Sequence, residues 1–235
     1  MDRRMFLKTA GKGVALVGGA LAFPSILLGN PNPSNLEEYC FTISPHKSIA
    51  LRAVDTTPEK FLRDNPTVEA AINGPYYDAE NRTEGVAYLA NDWHLATGKP
   101  DDIRGYLSVS RKGDEIKVAE SLSGKLEDYF LVLGTHPLLV TDGKVHSQSR
   151  EQRYRERIAY RSAIGTKSGS DMCFAVSADE ILMSEWAQRL DEVGYYGALN
   201  LDGGPISQMA LRDDGISVKG KGTGNTKLVI FSYTR

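Results

Sequence analysis

The sequence LNLDGGPIS, residues 199–207, places an aspartate and two glycines directly after an apolar run. The apolar run over 195–201 predicts a buried strand that ends next to Asp202. Gly203 and Gly204 allow the chain to turn sharply there and would leave backbone amides open to a ligand. Taken alone, the stretch is compatible with an ordinary turn, a metal site or a catalytic carboxylate.

A second stretch, AAINGPYYD at residues 70–78, has the same design. An apolar strand ends on Asn73, whose amide can both donate and accept hydrogen bonds, and Gly74 follows it. Tyr76 and Tyr77 then supply aromatic rings of the kind that stack on sugars. The stretch is therefore a candidate for binding a sugar.

A third stretch, YRSAIG at residues 160–165, carries a charge in an otherwise apolar strand. An unpaired guanidinium is costly to bury, so Arg161 requires an anion. That anion is either the Asp202 carboxylate or a bound phosphate.

Short strands predominate in the rest of the chain, and they do not alternate regularly with helices. Asp142-Gly143 gives the hairpin signal between two apolar runs. The pattern predicts an α+β fold with mixed or antiparallel β-sheets flanked by a few helices, in a single domain over residues 36–235. The predicted strands are 39–43, 48–54, 68–73, 105–110, 115–120, 137–146, 158–165, 172–177, 195–201, 207–212 and 227–233.

Two segments have the pattern of amphipathic helices. Residues 57–64 form the shorter one, with a proline at the first helical position. Residues 184–194 form the clearer one, with Ser184 as the N-cap and Gly194 ending the helix. Residues 124–133 are compatible with either a helix or a strand.

The segment 1–30 predicts an export signal rather than part of the domain. Arg3 and Arg4 precede Phe-Leu-Lys at 6–8 and resemble a twin-arginine signal, and a Gly/Ala-rich apolar run follows at 14–23. That run is short for a membrane span, which needs about 20 apolar residues, but an uncleaved anchor is the alternative. We expect the twin-arginine export machinery as a partner, a periplasmic or extracellular location, and membrane contact only through an uncleaved signal.

Charge, cysteine and histidine content narrow the function classes. The formal net charge is −2, without the basic excess that nucleic-acid binding requires. Cys40 and Cys173 both lie in apolar strand-like runs, which favours buried free thiols, with pairing in an oxidising compartment as the alternative. The four histidines show no metal-ligand spacing, so we expect no metal and no cofactor.

The three stretches, in this order, resemble the phosphodiester glycosidase family. Its patterns Asn-Gly-Gly-Phe-Phe, Arg-x-Ala-Ile-Gly and Asn-Leu-Asp-Gly-Gly-Gly-Ser correspond here to residues 73–77, 161–165 and 200–207, and the resemblance spans about 48–233. Pro75 and Pro205 replace glycines of the patterns. Ile206 stands where a hydroxyl residue is usual, which removes one possible hydrogen bond to a ligand.

The resemblance implies an exported hydrolase that cleaves a sugar from a sugar 1-phosphodiester. Such a reaction needs a carboxylate at the anomeric carbon, a cation for the phosphate and donors for sugar hydroxyls. The roles it implies are catalytic for Asp202 and Arg161, and substrate-binding for Asn73, Gly74, Tyr76, Asn200, Gly203, Gly204 and Ser207.

Two other functions stay open from the sequence. The departures at Pro205 and Ile206 favour a non-catalytic domain of the same fold that handles a glycan or exopolysaccharide. A metal-dependent phosphodiesterase is the other alternative, and the missing histidine pairs count against it. In each case the expected partner is a carbohydrate phosphate or a glycan rather than a nucleic acid.

Overall fold

Three β-sheets and two α-helices make up the part of the chain that the computed structural model describes, residues 36–44, 47–77, 85–90, 93–96, 103–154 and 156–234. The prediction of an α+β fold with few helices is confirmed, and each strand pair within these residues is antiparallel. The helices are α1 (Pro58–Asp64) and α2 (Met183–Glu192). The strands are β1 (Leu36–Thr42), β2 (Lys47–Thr56), β3 (Val68–Asn73), β4 (Val86–Leu89), β5 (Trp93–Ala96), β6 (Gly105–Ser110), β7 (Ile116–Ala119), β8 (Tyr129–Thr135), β9 (Leu138–Thr141), β10 (Lys144–Val145), β11 (Ser162–Thr166), β12 (Asp171–Ser177), β13 (Gly197–Asn200), β14 (Met209–Arg212), β15 (Ile216–Lys219) and β16 (Thr226–Thr234).

The first sheet has the order β1-β12-β11-β13-β9-β10 and carries the third sequence stretch and the start of the first. Ala163 of β11 lies opposite Asn200 of β13 in the antiparallel register. Arg161 directly precedes β11, and Asp202 follows β13 by two residues. The antiparallel pairing therefore brings both residues to the same end of two adjacent strands.

The second sheet has the order β15-β14-β3-β16-β2, and β3 ends at Asn73. Met209, the first residue of β14, lies opposite Ile72 near the end of β3. The chain between β13 and β14 therefore crosses from the first sheet to the second, and LNLDGGPIS forms this crossing. The third sheet, β5-β4-β8-β6-β7, packs beside these two.

One apolar core is shared by all three sheets, which is consistent with a single domain. Alternate residues of β11, β12 and β13 point into it, and the residues between them are buried on the opposite face of the first sheet. α1 packs on the second sheet, and α2 packs on the first through Met183, Trp186 and Leu190. The core residues include Ile72, Leu107, Leu133, Leu199 and Ile230, all fully buried.

α1 begins with Pro58 at the first helical position as predicted, but α2 differs from the predicted helix in its starting residue. α2 begins at Met183 with Leu182 in the N-cap position, and no side chain caps it, so the prediction of Ser184 as the cap is wrong. Met183 is buried against the first sheet and belongs to the helix, one residue before the predicted range 184–194. Gly194 has φ of 91° and ends the helix as predicted.

The structure shows which elements form in two further segments of the sequence. Residues 137–146 form a hairpin of β9 and β10, with Asp142 at φ 50° and Gly143 at φ 65° in its turn, which confirms the Asp-Gly signal. In the ambiguous segment 124–133, a short 3₁₀ turn at Leu126–Asp128 leads into β8.

Cys40 and Cys173 form a disulfide bond, so the favoured prediction of buried free thiols is wrong. The two residues lie directly opposite each other in the register of β1 and β12. A sequence separation of 133 residues gives no sign of this pairing, because the register depends on the whole sheet. No helix among the described residues is long and apolar enough to cross a membrane, and the predicted signal 1–30 lies outside those residues.

Candidate functional site

Asn73 joins the three sequence stretches at the crossing between the first two sheets. Its Nδ2 donates to the Asp202 carbonyl at 2.8 Å, and the Asp202 N–H donates back to the Gly74 carbonyl at 3.1 Å. Its Oδ1 accepts from the Ser162 hydroxyl at 2.8 Å and from the Gln208 N–H at 3.2 Å. The fully buried Asn73 side chain therefore fixes the backbone around Asp202.

The Asp202 side chain is partly exposed at the end of this framework. Its Oδ1 accepts the Gly203 N–H at 2.8 Å, which orients the carboxylate. Burial raises the pKa of the Tyr76 hydroxyl and of the Tyr77 hydroxyl, and the Asp202 charge raises both pKa values further. The carboxylate therefore acts electrostatically on both tyrosines that follow Asn73.

Glycine is required at positions 203 and 204 by the backbone geometry of the turn, and not in order to present free amides to a ligand. A Cβ at Gly203 would lie 2.9 Å from the Tyr160 carbonyl oxygen, and Gly204 has φ of 67°. The Gly203 amide is bonded to Asp202, and the Gly204 amide donates to the Tyr160 carbonyl at 2.8 Å. The expectation that these amides are open to a ligand is therefore wrong, because the turn itself uses both.

Arg161 is 3% exposed and has no ion pair with any described residue. Its Nε donates to the Ile181 carbonyl at 3.2 Å, and its Nη2 donates to the Arg157 carbonyl. Its Nη1 makes no hydrogen bond to the described residues and lies 3.7 Å from the position of a Cβ on Gly203. Asp202 is therefore not the ion-pair partner of Arg161 in this structure. Of the two anions expected from the sequence, a bound phosphate is the one that remains.

The Arg157 side chain adds a second cation beside Arg161. It is exposed and makes no hydrogen bond or ion pair with the described residues. Its charge, like that of Arg161, lowers the pKa of the Tyr76 hydroxyl against the larger effect of burial. Because Arg161 binds the Arg157 carbonyl, the buried guanidinium also anchors the turn that carries the exposed one.

The sequence profile of the phosphodiester glycosidase family matches residues 66–230, well over half of the chain and all three stretches. The chain belongs to the phosphodiester glycosidase family. No curated protein sequence shows a significant match to it.

Solved structures share the fold of this phosphodiester glycosidase family member at low sequence identity. The catalytic domain of zebrafish N-acetylglucosamine-1-phosphodiester alpha-N-acetylglucosaminidase, auto-inhibited by its pro-peptide, matches with a TM-score of 0.62 and 14% identity over 88% of this chain and 86% of that one. A hypothetical protein from Synechocystis matches with a TM-score of 0.54 and 13% identity over 85% of this chain and 59% of that one. At these identities the likeness shows the fold alone.

Several residues to which the family pattern assigns substrate binding are buried in the structure. Gly74 is buried, and a Cβ there would lie 2.6 Å from the Leu228 Cβ, so Gly74 permits close strand packing. Ser207 is fully buried, and its hydroxyl has no hydrogen-bond partner among the described residues. Asn200 is also buried, but its amide reaches the site through Tyr76. Of these residues, Tyr76 is the one whose side chain is partly exposed beside Asp202.

The segment 219–227 is held against the end of the first stretch, LNLDGGPIS, by main-chain hydrogen bonds. The N–H groups of Thr223 and Gly224 both donate to the Pro205 carbonyl at 2.8 Å. The Gly222 N–H donates to the Ser207 carbonyl at 2.9 Å. Main-chain hydrogen bonds therefore hold this segment over residues 205–207.

His136 belongs to the site, although no sequence pattern around it indicates a role. Its ring stacks on Tyr76 with centroids 4.9 Å apart and an interplanar angle of 8°. Its Nδ1 lies 2.9 Å from the Tyr154 hydroxyl. His136 precedes β9 and lies 60 residues from Tyr76 in sequence, so only the assembled sheets bring the rings together.

The described residues contain no group of three or more His, Cys, Asp or Glu side chains arranged to hold a metal ion. A surface cavity of about 410 Å³ lies elsewhere, lined by residues that include Ile43, Arg111 and Phe130. We assign the candidate site to the Asp202 region because the family stretches, the buried cation and the partly exposed carboxylate meet there.

Proposed function

We propose that this protein is an exported phosphodiester glycosidase that releases a sugar from a sugar 1-phosphodiester, with Asp202 as the catalytic carboxylate. The observation that carries the proposal is the reciprocal hydrogen bonding of Asn73 and Gly74 with the Asp202 backbone. This framework holds a partly exposed carboxylate at a site that also contains a buried arginine without an ion-pair partner in the described part of the chain. Preorganised charges of this kind are the main source of catalysis in many enzymes.

The reaction needs few protein groups because phosphate is a good leaving group. Water is the second substrate, and the bond between the anomeric carbon and the ester oxygen breaks. The electron pair of that bond leaves with the phosphate, and the oxygen of water ends on the sugar. Asp202 acts either as the nucleophile that first bonds to the anomeric carbon or as the base that takes a proton from water.

Arg161 and Arg157 are suited to bind the substrate phosphate. A guanidinium binds phosphate through planar, charge-assisted hydrogen bonds. Nη1 of Arg161 and the whole Arg157 guanidinium have no acceptor among the described residues, so both can donate to phosphate oxygens. Tyr77 is partly exposed, lies close enough to Asp202 for that charge to raise its pKa, and can form one wall for the sugar.

A non-catalytic glycan-binding domain is the second candidate, and two observations favour it. The Gly203 and Gly204 amides are used inside the turn, and Ser207 is buried, so fewer donors face a ligand than the family pattern suggests. Such a domain would bind a sugar phosphate without releasing free sugar.

A panel of sugar 1-phosphodiesters, assayed for free sugar with and without chelator, separates the candidate functions. The proposal expects release of free sugar that chelator does not affect. Binding of the same compounds without turnover would support the non-catalytic domain. Turnover that chelator abolishes would instead support a metal-dependent phosphodiesterase.

Export by the twin-arginine route is part of the proposal, and the disulfide supports it. Disulfide bonds such as Cys40–Cys173 form and persist in oxidising compartments, which include the bacterial periplasm. The arginine pair is read by a receptor, so lysine should not replace it.

We expect the double substitution Arg3→Lys and Arg4→Lys to leave full-length precursor in the cytoplasm, with Cys40 and Cys173 reduced. Cell fractionation, the mass of the chain and thiol labelling together measure this. Replacing Lys12 with Arg in the same segment is the matched control and should leave processing unchanged. Normal processing of the double variant would show that the export signal is not of the twin-arginine type.

A further inference from the structure

The Tyr76 hydroxyl has a hydrogen-bond donor that no described residue accepts. Its oxygen accepts from Asn200 Nδ2 at 2.6 Å. The same Nδ2 also donates to the Leu201 carbonyl, which can only accept, so the amide cannot be turned to accept from tyrosine. The Tyr76 proton therefore points to another acceptor, and none of the described residues provides one.

This hydroxyl lies where it experiences both charges of the site. The charge of Asp202 raises the pKa of Tyr76 in addition to the larger effect of burial, whereas Arg161 and Arg157 lower it. In the proposed reaction, Asp202 acts at the anomeric carbon and the arginines hold the phosphate. The atom that joins those two parts of the substrate is the ester oxygen.

The position of the Tyr76 ring is fixed from two sides. His136 stacks on one face of the ring, and the Tyr154 hydroxyl holds the imidazole through Nδ1 at 2.9 Å. Asn200 holds the hydroxyl itself. One face of the Tyr76 ring is therefore covered by His136, and Asn200 fixes the position of the hydroxyl while leaving its donor for the substrate.

We infer that the Tyr76 hydroxyl donates a hydrogen bond to the ester oxygen that leaves with the phosphate, and that His136 positions Tyr76 for this contact. The inference rests on the proposed function. The family pattern has phenylalanine at position 76, so the hydroxyl is an addition of this chain and determines how it handles its own substrate. The contact strengthens as the carbon–oxygen bond breaks and negative charge develops on the oxygen, and no proton needs to leave the tyrosine.

The test is a double-mutant cycle on Tyr76→Phe and His136→Ala, with kcat, KM and thermal midpoint measured for each protein. Tyr76→Phe introduces the residue of the family pattern, so it should fold, and we expect kcat to fall about 10-fold with KM changed less than about twofold. His136→Ala should lower kcat about fivefold in the wild-type background and have no further effect on kcat when residue 76 is Phe.

Two further variants distinguish positioning from a structural role. His136→Phe keeps a ring stacked on Tyr76 and should recover most of the activity lost in His136→Ala. Tyr39→Phe removes a tyrosine hydroxyl on β1, where it bonds to Glu69 and Lys47, and should leave kcat unchanged.

The possible failures are distinguishable. Wild-type protein that cleaves no sugar 1-phosphodiester would remove the proposed function and this inference together. Wild-type turnover with full kcat in Tyr76→Phe would remove the inference alone. Equal effects of His136→Ala in both backgrounds would show that His136 does not act through Tyr76.

Discussion

Asp202→Asn is expected to lower kcat by at least about 10²-fold, which corresponds to about 2.7 kcal/mol of transition-state stabilisation. The amide has the same shape as the carboxylate and can still accept the Gly203 N–H, so the turn should be retained. It lacks the charge that either a nucleophile or a base requires. Because the turn is retained, the thermal midpoint should change little. The thermal midpoint and kcat are measured on the same sample.

Asp213→Asn is the matched control for this substitution. Asp213 lies in the exposed loop between β14 and β15 and bonds to Ser217 at 3.4 Å. Its replacement should change neither the rate nor the midpoint. A folded Asp202→Asn protein with full activity would mean that Asp202 serves only the turn.

Arg161→Lys is expected to lower kcat/KM about 10²-fold, with contributions from both a higher KM and a lower kcat. Lysine keeps the charge but has one compact ammonium group in place of the planar guanidinium. It cannot bind the Ile181 and Arg157 carbonyls and also present a donor beside Gly203. The phosphate would lose a fixed partner, and the turn carrying Arg157 would lose its anchor.

Arg212→Lys is a structural control, because Arg212 is partly buried and, like Arg161, donates to main-chain carbonyls through Nε and Nη2. Its Nε binds the Val68 carbonyl at 2.9 Å, and its Nη2 binds the Leu62 carbonyl, both away from Asp202. The two variants should lose similar stability, but only Arg161→Lys should lose kcat/KM. Equal kinetic loss in both variants would assign Arg161 to the framework rather than to the phosphate.

The sequence was informative wherever short-range chemistry determines structure. The Asp142-Gly143 turn follows from two residues that accept positive φ. The end of α2 follows from Gly194 for the same reason. The family stretches indicated which residues meet, and Asn73 does join Gly74, Ser162 and Asp202 in one network.

The roles within that network could not be predicted, because each depends on contacts between distant strands. From the sequence, Asn73 is a candidate for hydrogen bonding to a ligand. In the structure its side-chain amide instead forms hydrogen bonds to residues 89, 129 and 135 positions away. The stack of His136 on Tyr76 needs the first and second sheets to be assembled. The disulfide requires the register of β1 and β12, which no local pattern contains.

The most direct test of the central claim follows the oxygen of water during hydrolysis. Wild-type protein is incubated with a sugar 1-phosphodiester in ¹⁸O-labelled water, and both products are analysed by mass spectrometry, with Asp202→Asn as the control. The account predicts that the label appears in the sugar and not in the phosphate, because the carbon–oxygen bond breaks, and that Asp202→Asn forms little of either product. Label in the phosphate would show attack at phosphorus and would contradict a glycosidase centred on Asp202.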